Sequence, residues 1–422
     1  VKKNWRKLFS GAESRKLLSN FMSLSSLRGL EMLLPLITLP YLVRVLGLEN
    51  YGLLAFAISM ATYSTAFIQY GFNITAVREL ARAGDDDEQV SRIVSLALTI
   101  TLSLAVAAFI IFAAVTFFVA RFTLDLELYL LSFLFIASQA LFPVWFFQGI
   151  AEMKYVAILN VLSKICAVCG ILLFVNSQHQ YALVPLINFI CSLFSFILAL
   201  RLIYKRFNVR YKLPEKSAIW GALRIGSAAF ITQAAPALYN NSSTFLLGLF
   251  TSPTVVGIYT AATRVVEVFA TLATILSSTF LPYLARKPKL MPKFNKMMLL
   301  IGVLLSITCI LLSDICATLL FSAENLVVAT YIKYLAPGIT ALFAVYAFGT
   351  NSLMLMGHDK LVRNGALYVS IVFFIIALCL VPLLGIYGSC ITIVGARVSM
   401  ALYYGFFYKK YADNGGKLEA SV

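Results

Sequence analysis

The stretch ITLSLAVAAFIIFAAVTFFVA, residues 100–120, contains no ionisable side chain from its first position to its last. At 1.5 Å per residue, about 20 such residues in a helix cross a hydrocarbon core roughly 30 Å thick. Lipid offers the backbone no hydrogen-bond partner, so a spanning segment must be a helix or part of a closed barrel. Barrel strands alternate apolar and polar residues over about ten positions, and this stretch does not alternate. A second run, Ile371–Leu384, reads the same way. The rest of the chain agrees: 61% of its 422 residues are apolar and 12% are charged, against about 25% charged in soluble domains. The segments are membrane helices.

Extended along the chain, this reading predicts an all-α polytopic membrane protein with twelve transmembrane helices. The spans are 20–46, 51–74, 93–119, 126–150, 155–175, 181–203, 219–249, 255–282, 297–320, 327–356, 364–382 and 386–408. The connections sort by charge. Twenty-six Lys and Arg residues, from the N-terminus through Arg201–Lys216 and Arg286–Lys296 to the C-terminal end, fall on one side, and Arg121 alone falls on the other. The positive-inside rule then puts both termini in the cytoplasm. It also accounts for the net charge of +16, and no nucleic-acid signature accompanies that charge. The N-terminal region is basic, but its length and the charges of Arg28 and Glu31 do not suit a cleaved signal peptide. The first helix is therefore expected to stay in the chain.

The basic connection of residues 205–218 divides the spans six and six. The expected domains are an N-terminal six-helix bundle (1–204), this cytoplasmic linker, and a C-terminal six-helix bundle (219–422). Six is even, so the halves would be parallel repeats. A faint echo supports duplication: Pro35, Gly47, Gly52 and Ala81-Arg82 recur in register as Pro236, Gly248, Gly257 and Ala285-Arg286.

The seven cysteines all lie in apolar segments and form no disulfide framework. Cys166 and Cys169 have CxxC spacing but no further ligands nearby, so they read as core thiols. There is no metal-ligand cluster, no phosphate-cradling glycine loop and no outer loop large enough for an active site. Neither His179 nor His358 sits at membrane depth, which argues against a histidine relay. No cofactor and no catalytic residue is expected.

Charges at membrane depth are costly and mark function or buried pairing. Arg28 and Glu31 on the first span, and Arg264 and Glu267 on the eighth, repeat an i, i+3 spacing that places both residues on one helix face. Each pair continues as a polar stripe, the second through Thr271, Thr274 and Ser278. Such stripes point to a water-filled cavity, while the plainer reading makes each pair a structural ion bridge. Lys164, Arg224 and Arg397 lie toward cytoplasmic ends and are further candidates for an anionic ligand. Arg44, Lys333 and Asp314 sit toward helix ends, where side chains snorkel. The seventh span carries Gln233, Pro236, Tyr239, Asn240, Asn241 and the hydroxyls of Ser242, Ser243 and Thr244. These groups can face sugar hydroxyls or join helices to one another. Trp145, Phe146 and Phe147 fit an interfacial aromatic belt better than a sugar platform.

The segments PYLVRVLGLENYGLLAFA (40–57), QYGFNITAVRELAR (69–82) and FPVWFFQGIAEMKYVAILN (142–160) together resemble the Wzx-type O-antigen flippases. These belong to the multidrug/oligosaccharidyl-lipid/polysaccharide exporter superfamily. The resemblance is good over the first 160 residues and looser beyond. It implies two six-helix bundles around a central cavity in the bacterial inner membrane. It also implies an undecaprenyl-pyrophosphate-linked repeat unit as substrate, moved from the cytoplasmic to the periplasmic leaflet, with membrane lipids around the protein and polysaccharide polymerase machinery as a possible contact. The related lipid II flippases use cavity arginines on helices one, two and eight. Arg28 and Arg264 match the first and last of these, but the second span here holds no basic residue.

On this reading Arg28, Arg264, Arg224, Lys164 and Arg397 bind pyrophosphate, since guanidinium forks clamp phosphate oxygens in pairs. Tyr239, Asn240, Asn241 and Gln233 line the sugar side. Glu31, Glu267 and Asp314 are candidates for coupling to a proton or sodium gradient. Two other classes compete. A cation exporter of the same superfamily would want uncompensated carboxylates, and a membrane polymerase or glycosyltransferase would want catalytic acids on an exposed loop.

Overall fold

In this computed structural model the backbone is described for residues 12–84, 86–321 and 326–413. Side chains are described over the same ranges except 12–36, 228, 231–232, 235–240, 282 and 412–413. Every extended element is helical. In chain order these are α1 (Ala12–Gln69), α2 (Phe72–Ala83), α3 (Asp87–Phe118), α4 (Leu126–Leu141) and α5 (Val144–Gly149). There follow α6 (Met153–Phe174), α7 (Leu183–Arg206), α8 (Lys216–Phe250), α9 (Pro253–Arg286) and α10 (Met291–Phe321). The chain ends with α11 (Val327–Leu335), α12 (Pro337–Ala344), a π-helical segment (Val345–Leu353), α13 (Asp359–Leu384) and α14 (Ile386–Asp413). Among the described residues, ten helical segments are long and apolar enough to cross a membrane. The protein is an all-helical, multi-pass membrane protein. Ile110, Ile111, Phe117, Leu173, Leu311 and Leu383 are all exposed, an apolar outer surface that lipid rather than water would cover.

Local chemistry explains where the helices stop and turn. The first two expected spans are one run, α1, broken at Gly47, whose φ of 78° belongs to the left-handed region that glycine enters without strain. At the start of α3 the Asp86 carboxylate accepts from the amides of Glu88 and Gln89, both at 3.0 Å, and acidic side chains fill the first turn. This arrangement satisfies otherwise orphaned N–H groups and suits the positive end of the helix dipole. Prolines at the first positions of α9 and α12 have no N–H to lose there.

The chain forms two compact units. The first runs up to Thr38 and includes 64–175 and 182–230; the second comprises 39–63, 176–181 and the chain from Ile231 onward. In the first unit α3, α4, α6 and α7 pack side by side, and α2 lies against α5. Trp145, Phe146 and Phe147 are buried in its core, where they meet Phe207 and Tyr155. The expected interfacial belt is therefore corrected: the Pro143 turn and the short α5 fold these rings inward, under the extended chain after α7. That chain is itself strapped to α3. The amides of Arg210 and Lys212 donate to the hydroxyls of Ser91 and Ser95 at 3.0 and 2.9 Å, and Tyr211 meets Thr99 one turn further on. The i, i+4, i+8 hydroxyls of α3 stand in for a strand edge and satisfy an extended backbone.

In the second unit α9, α10, α12, the π-helical segment and α14 surround a buried polar network. Ser277 donates to Asn351 at 2.8 Å, Asn295 to Ser352 at 2.9 Å, and Ser352 to the Ala347 carbonyl at 2.8 Å. Asn351 and Ser352 are fully buried. The wider π turn presents both side chains inward, and π turns of this kind recur at functional positions.

Candidate substrate-binding site

Arg264 is the best-defined cation of the second unit. It lies three turns inside α9, and its guanidinium donates to Glu267 at 3.1 Å, as the i, i+3 spacing foretold. Both side chains are about half exposed, 54% and 49%, so the pair faces open space rather than a helix interface. Near it stands Tyr51, buried at 8%, within electrostatic reach of the same guanidinium. Further along the stripe Thr271 is half-buried, Thr274 donates to Tyr346 at 3.1 Å, and Ser278 is exposed. The stripe is thus an accessible polar face.

The other expected ligands are dispersed. Arg397, half-buried on α14, packs beside Gly338 on α12, where any β-carbon would crowd the guanidinium. Lys164 is half-buried on α6 and Arg224 is exposed on α8; both belong to the first unit. Asp314 holds Lys333 through both carboxylate oxygens at 2.9 Å. Arg44 donates to the Leu319 carbonyl in the last turn of α10, which places a cation at the negative end of that helix.

On α8, Asn241 is half-buried while Ser242 and Ser243 are buried, so these serines serve packing. The side-chain oxygen of Gln233 is buried without a hydrogen-bond partner, an acceptor left available for a donor. The side chains of Arg28, Glu31, Tyr239 and Asn240 lie outside the described residues.

The duplicated glycines meet. A β-carbon on Gly52 would overlap the carbonyl oxygen of Pro253, four residues before Gly257; one on Gly257 would overlap that of Leu48, four residues before Gly52. The contact is reciprocal. A β-carbon on Gly248 would likewise overlap the Phe56 ring. Beside this crossing, Asn50 donates to the Gln178 carbonyl at 3.1 Å, and Tyr41 donates to Asn176 at 3.2 Å. Neither Tyr51 nor the glycine crossing is picked out from sequence as part of a site, although Tyr51 and Gly52 lie side by side in PYLVRVLGLENYGLLAFA. An aromatic hydroxyl in an apolar run carries no periodic signal of its own.

Among the described residues no group of His, Cys, Asp or Glu could hold a metal ion. Arg264 offers a half-exposed guanidinium fork that can hold an anion, beside the Glu267 carboxylate.

Comparison with known proteins adds ancestry. The family described as "Polysaccharide biosynthesis protein" matches residues 17–287. A protein of Escherichia coli (strain K12) named as an O-antigen transporter is 28% identical over 246 residues, which make up 58% of this chain and 59% of that protein. The chain thus spans about three-fifths of that relative. A protein of Shigella dysenteriae with the same name is 23% identical over 394 residues, 91% of this chain and 98% of that one. Among solved structures, the lipid II flippase MurJ in an inward closed conformation superposes with a TM-score of 0.73 at 15% identity, over 92% of this chain and 87% of its own. A multidrug resistance MATE family transporter of the MOP superfamily, inward-facing, superposes with a TM-score of 0.68 at 14% identity, over 94% and 100%. The chain therefore has the fold of that superfamily.

Proposed function

The chain belongs to the polysaccharide biosynthesis protein family of membrane transporters, and on that premise we propose that it flips undecaprenyl-pyrophosphate-linked oligosaccharide repeat units across the bacterial inner membrane. The direction is from the cytoplasmic to the periplasmic leaflet, by alternating access. The expected architecture is twelve helices in two six-helix bundles around a central cavity, with both termini cytoplasmic. One observation carries the choice of substrate: the accessible polar face of α9 presents a guanidinium, and the carboxylate beside it is already compensated. Asp314, the other membrane-depth carboxylate described, is likewise paired, with Lys333. Such a face suits a pyrophosphate. A multidrug cation exporter shares the fold, yet its cargo would meet no free carboxylate among these residues.

Arg264 and Arg28 would clamp the pyrophosphate, with Lys164, Arg224 and Arg397 as further contacts. Gln233, Tyr239, Asn240 and Asn241 would meet the sugars. Glu31, Glu267 and Asp314 would couple transport to a proton or sodium gradient. Contact with the polymerase that joins the repeat units follows from the same role. Deleting the gene tests the function: lipid-linked single repeat units should accumulate on the cytoplasmic face. Their appearance on the outer face, capped singly, would instead identify a polymerase defect and refute the flippase reading.

A further inference from the structure

The strap that follows α7 lies on the side of α3 that lipid would cover. Ser91, Ser95, Thr99, Leu102, Val106 and Ile110 recur at helical spacing and make one stripe along that helix. At one end the stripe is covered: Ser91 and Ser95 are buried, accepting from the amides of Arg210 and Lys212. Further along it is bare, with Leu102 43%, Val106 60% and Ile110 62% exposed. Ser91 to Thr99 is a rise of about 12 Å, and the apolar run of α3 begins within it. The strap thus sits where headgroups meet acyl chains, in the leaflet that the basic connections face.

Cations are displayed at that level. Arg210, Lys212 and Lys216, the last opening α8, are exposed, and so is Trp220 one turn beyond. Tyr211 and Leu213 are exposed between them. The carboxylates close by are engaged: Asp86 by the amides of α3, Glu88 by Arg92 and Lys212, and Glu215 by the Ser217 hydroxyl. Two backbone hydrogen bonds already fix the strap, so less freedom is lost when a ligand orders its cations.

We propose that the strap and the first turn of α8 bind an anionic phospholipid. Its phosphate rests on Arg210, Lys212 and Lys216, and an acyl chain lies along Leu102, Val106 and Ile110. Complementary charge selects the headgroup, since anionic lipids attract cations beside membrane spans and a guanidinium fork holds phosphate oxygens in pairs. The bare stripe selects the tail, because a free phosphate has nothing to lay against it. Tyr211 and Trp220 suit the same depth, where amphipathic rings are enriched. The strap belongs to the first unit and Arg264 to the second, so the lipid held here is a companion of the protein rather than its cargo.

The test titrates the purified full chain in detergent with phosphatidylglycerol and reads bound lipid by native mass spectrometry. The parent should retain phosphatidylglycerol in preference to zwitterionic phosphatidylethanolamine. Changing Arg210, Lys212 and Lys216 together to Gln should weaken phosphatidylglycerol about tenfold or more and leave phosphatidylethanolamine as it was. All three side chains are exposed, so this variant should melt with the parent. Lys360→Gln, Lys409→Gln and Lys410→Gln together remove as much exposed charge from other basic connections, and that protein should bind as the parent does. Equal losses in the two triple variants, or no loss in the first, would overturn the proposal. Undecaprenyl phosphate separates the two kinds of lipid. At equal concentration it should leave most of the phosphatidylglycerol bound; displacement of most of it would assign the surface to a polyprenyl lipid and overturn the phospholipid site.

Discussion

Arg264 and Glu267 form an ion pair that is half exposed on both sides, and this decides how their substitutions should behave. An exposed pair contributes about 0.2–1 kcal/mol to stability, whereas breaking a buried pair costs about 3–5 kcal/mol. Arg264→Ala should therefore leave protein abundance near wild type and reduce surface polysaccharide severely. Arg264→Lys should be intermediate, because ammonium keeps the charge and loses the fork. Changing both Arg264 and Glu267 to Met should also keep abundance, with no recovery of polysaccharide. Immunoblots of membranes alongside gels of surface polysaccharide read both quantities, and recovered polysaccharide in the double variant would remove Arg264 from substrate binding. The i, i+3 pairing was legible in the sequence because helical geometry alone makes it. Its accessible setting was not, since burial depends on which helices pack beside α9.

At the scale of elements, the π-helical segment and the helices around it are joined by hydroxyls and amides rather than by charges. Ser277 is the partner of Asn351, whose amide nitrogen is already buried without another acceptor. Ser277→Ala would leave the whole side chain unsatisfied, at a cost of about 1–3 kcal/mol. The expected result is a lowered Tm of the purified protein, with Asn351→Leu in the same background recovering part of the loss. If Ser277→Ala melts with wild type, the network does not hold this element. A neutral polar network leaves little trace in a sequence: one serine on α9 and two polar residues on another helix share no period. The π turn arises where tertiary contacts favour a wider register over the ordinary helical one.

At the scale of the whole molecule, the charge asymmetry predicts which connections face the cytoplasm. Leu213, in the strap that follows α7, is 81% exposed. A cysteine there should react with an impermeant thiol reagent only from the cytoplasmic side, while one at His179 should react only from outside. Labelling of position 213 from the periplasm would refute the topology. The strap should also report without moving much, because two backbone amides bind it to the serines of α3.

The helical, membrane-spanning nature of the chain, its charge asymmetry and the Arg264–Glu267 pair follow from the sequence alone. Each depends on hydrophobic run length, the bilayer and the 3.6-residue turn, all local properties. The three quoted segments identified the family for a related reason, since they are continuous in the chain. Tertiary structure decided everything that joins residues far apart. It buried Trp145, Phe146 and Phe147 under the strap, turned Asp314 to Lys333, and set Tyr51 near Arg264. It also brought Gly52 onto Gly257, which the repeat had aligned in register but could not place in contact. Apposition across about 200 residues is set by which helix faces fit most closely, and only packing decides that.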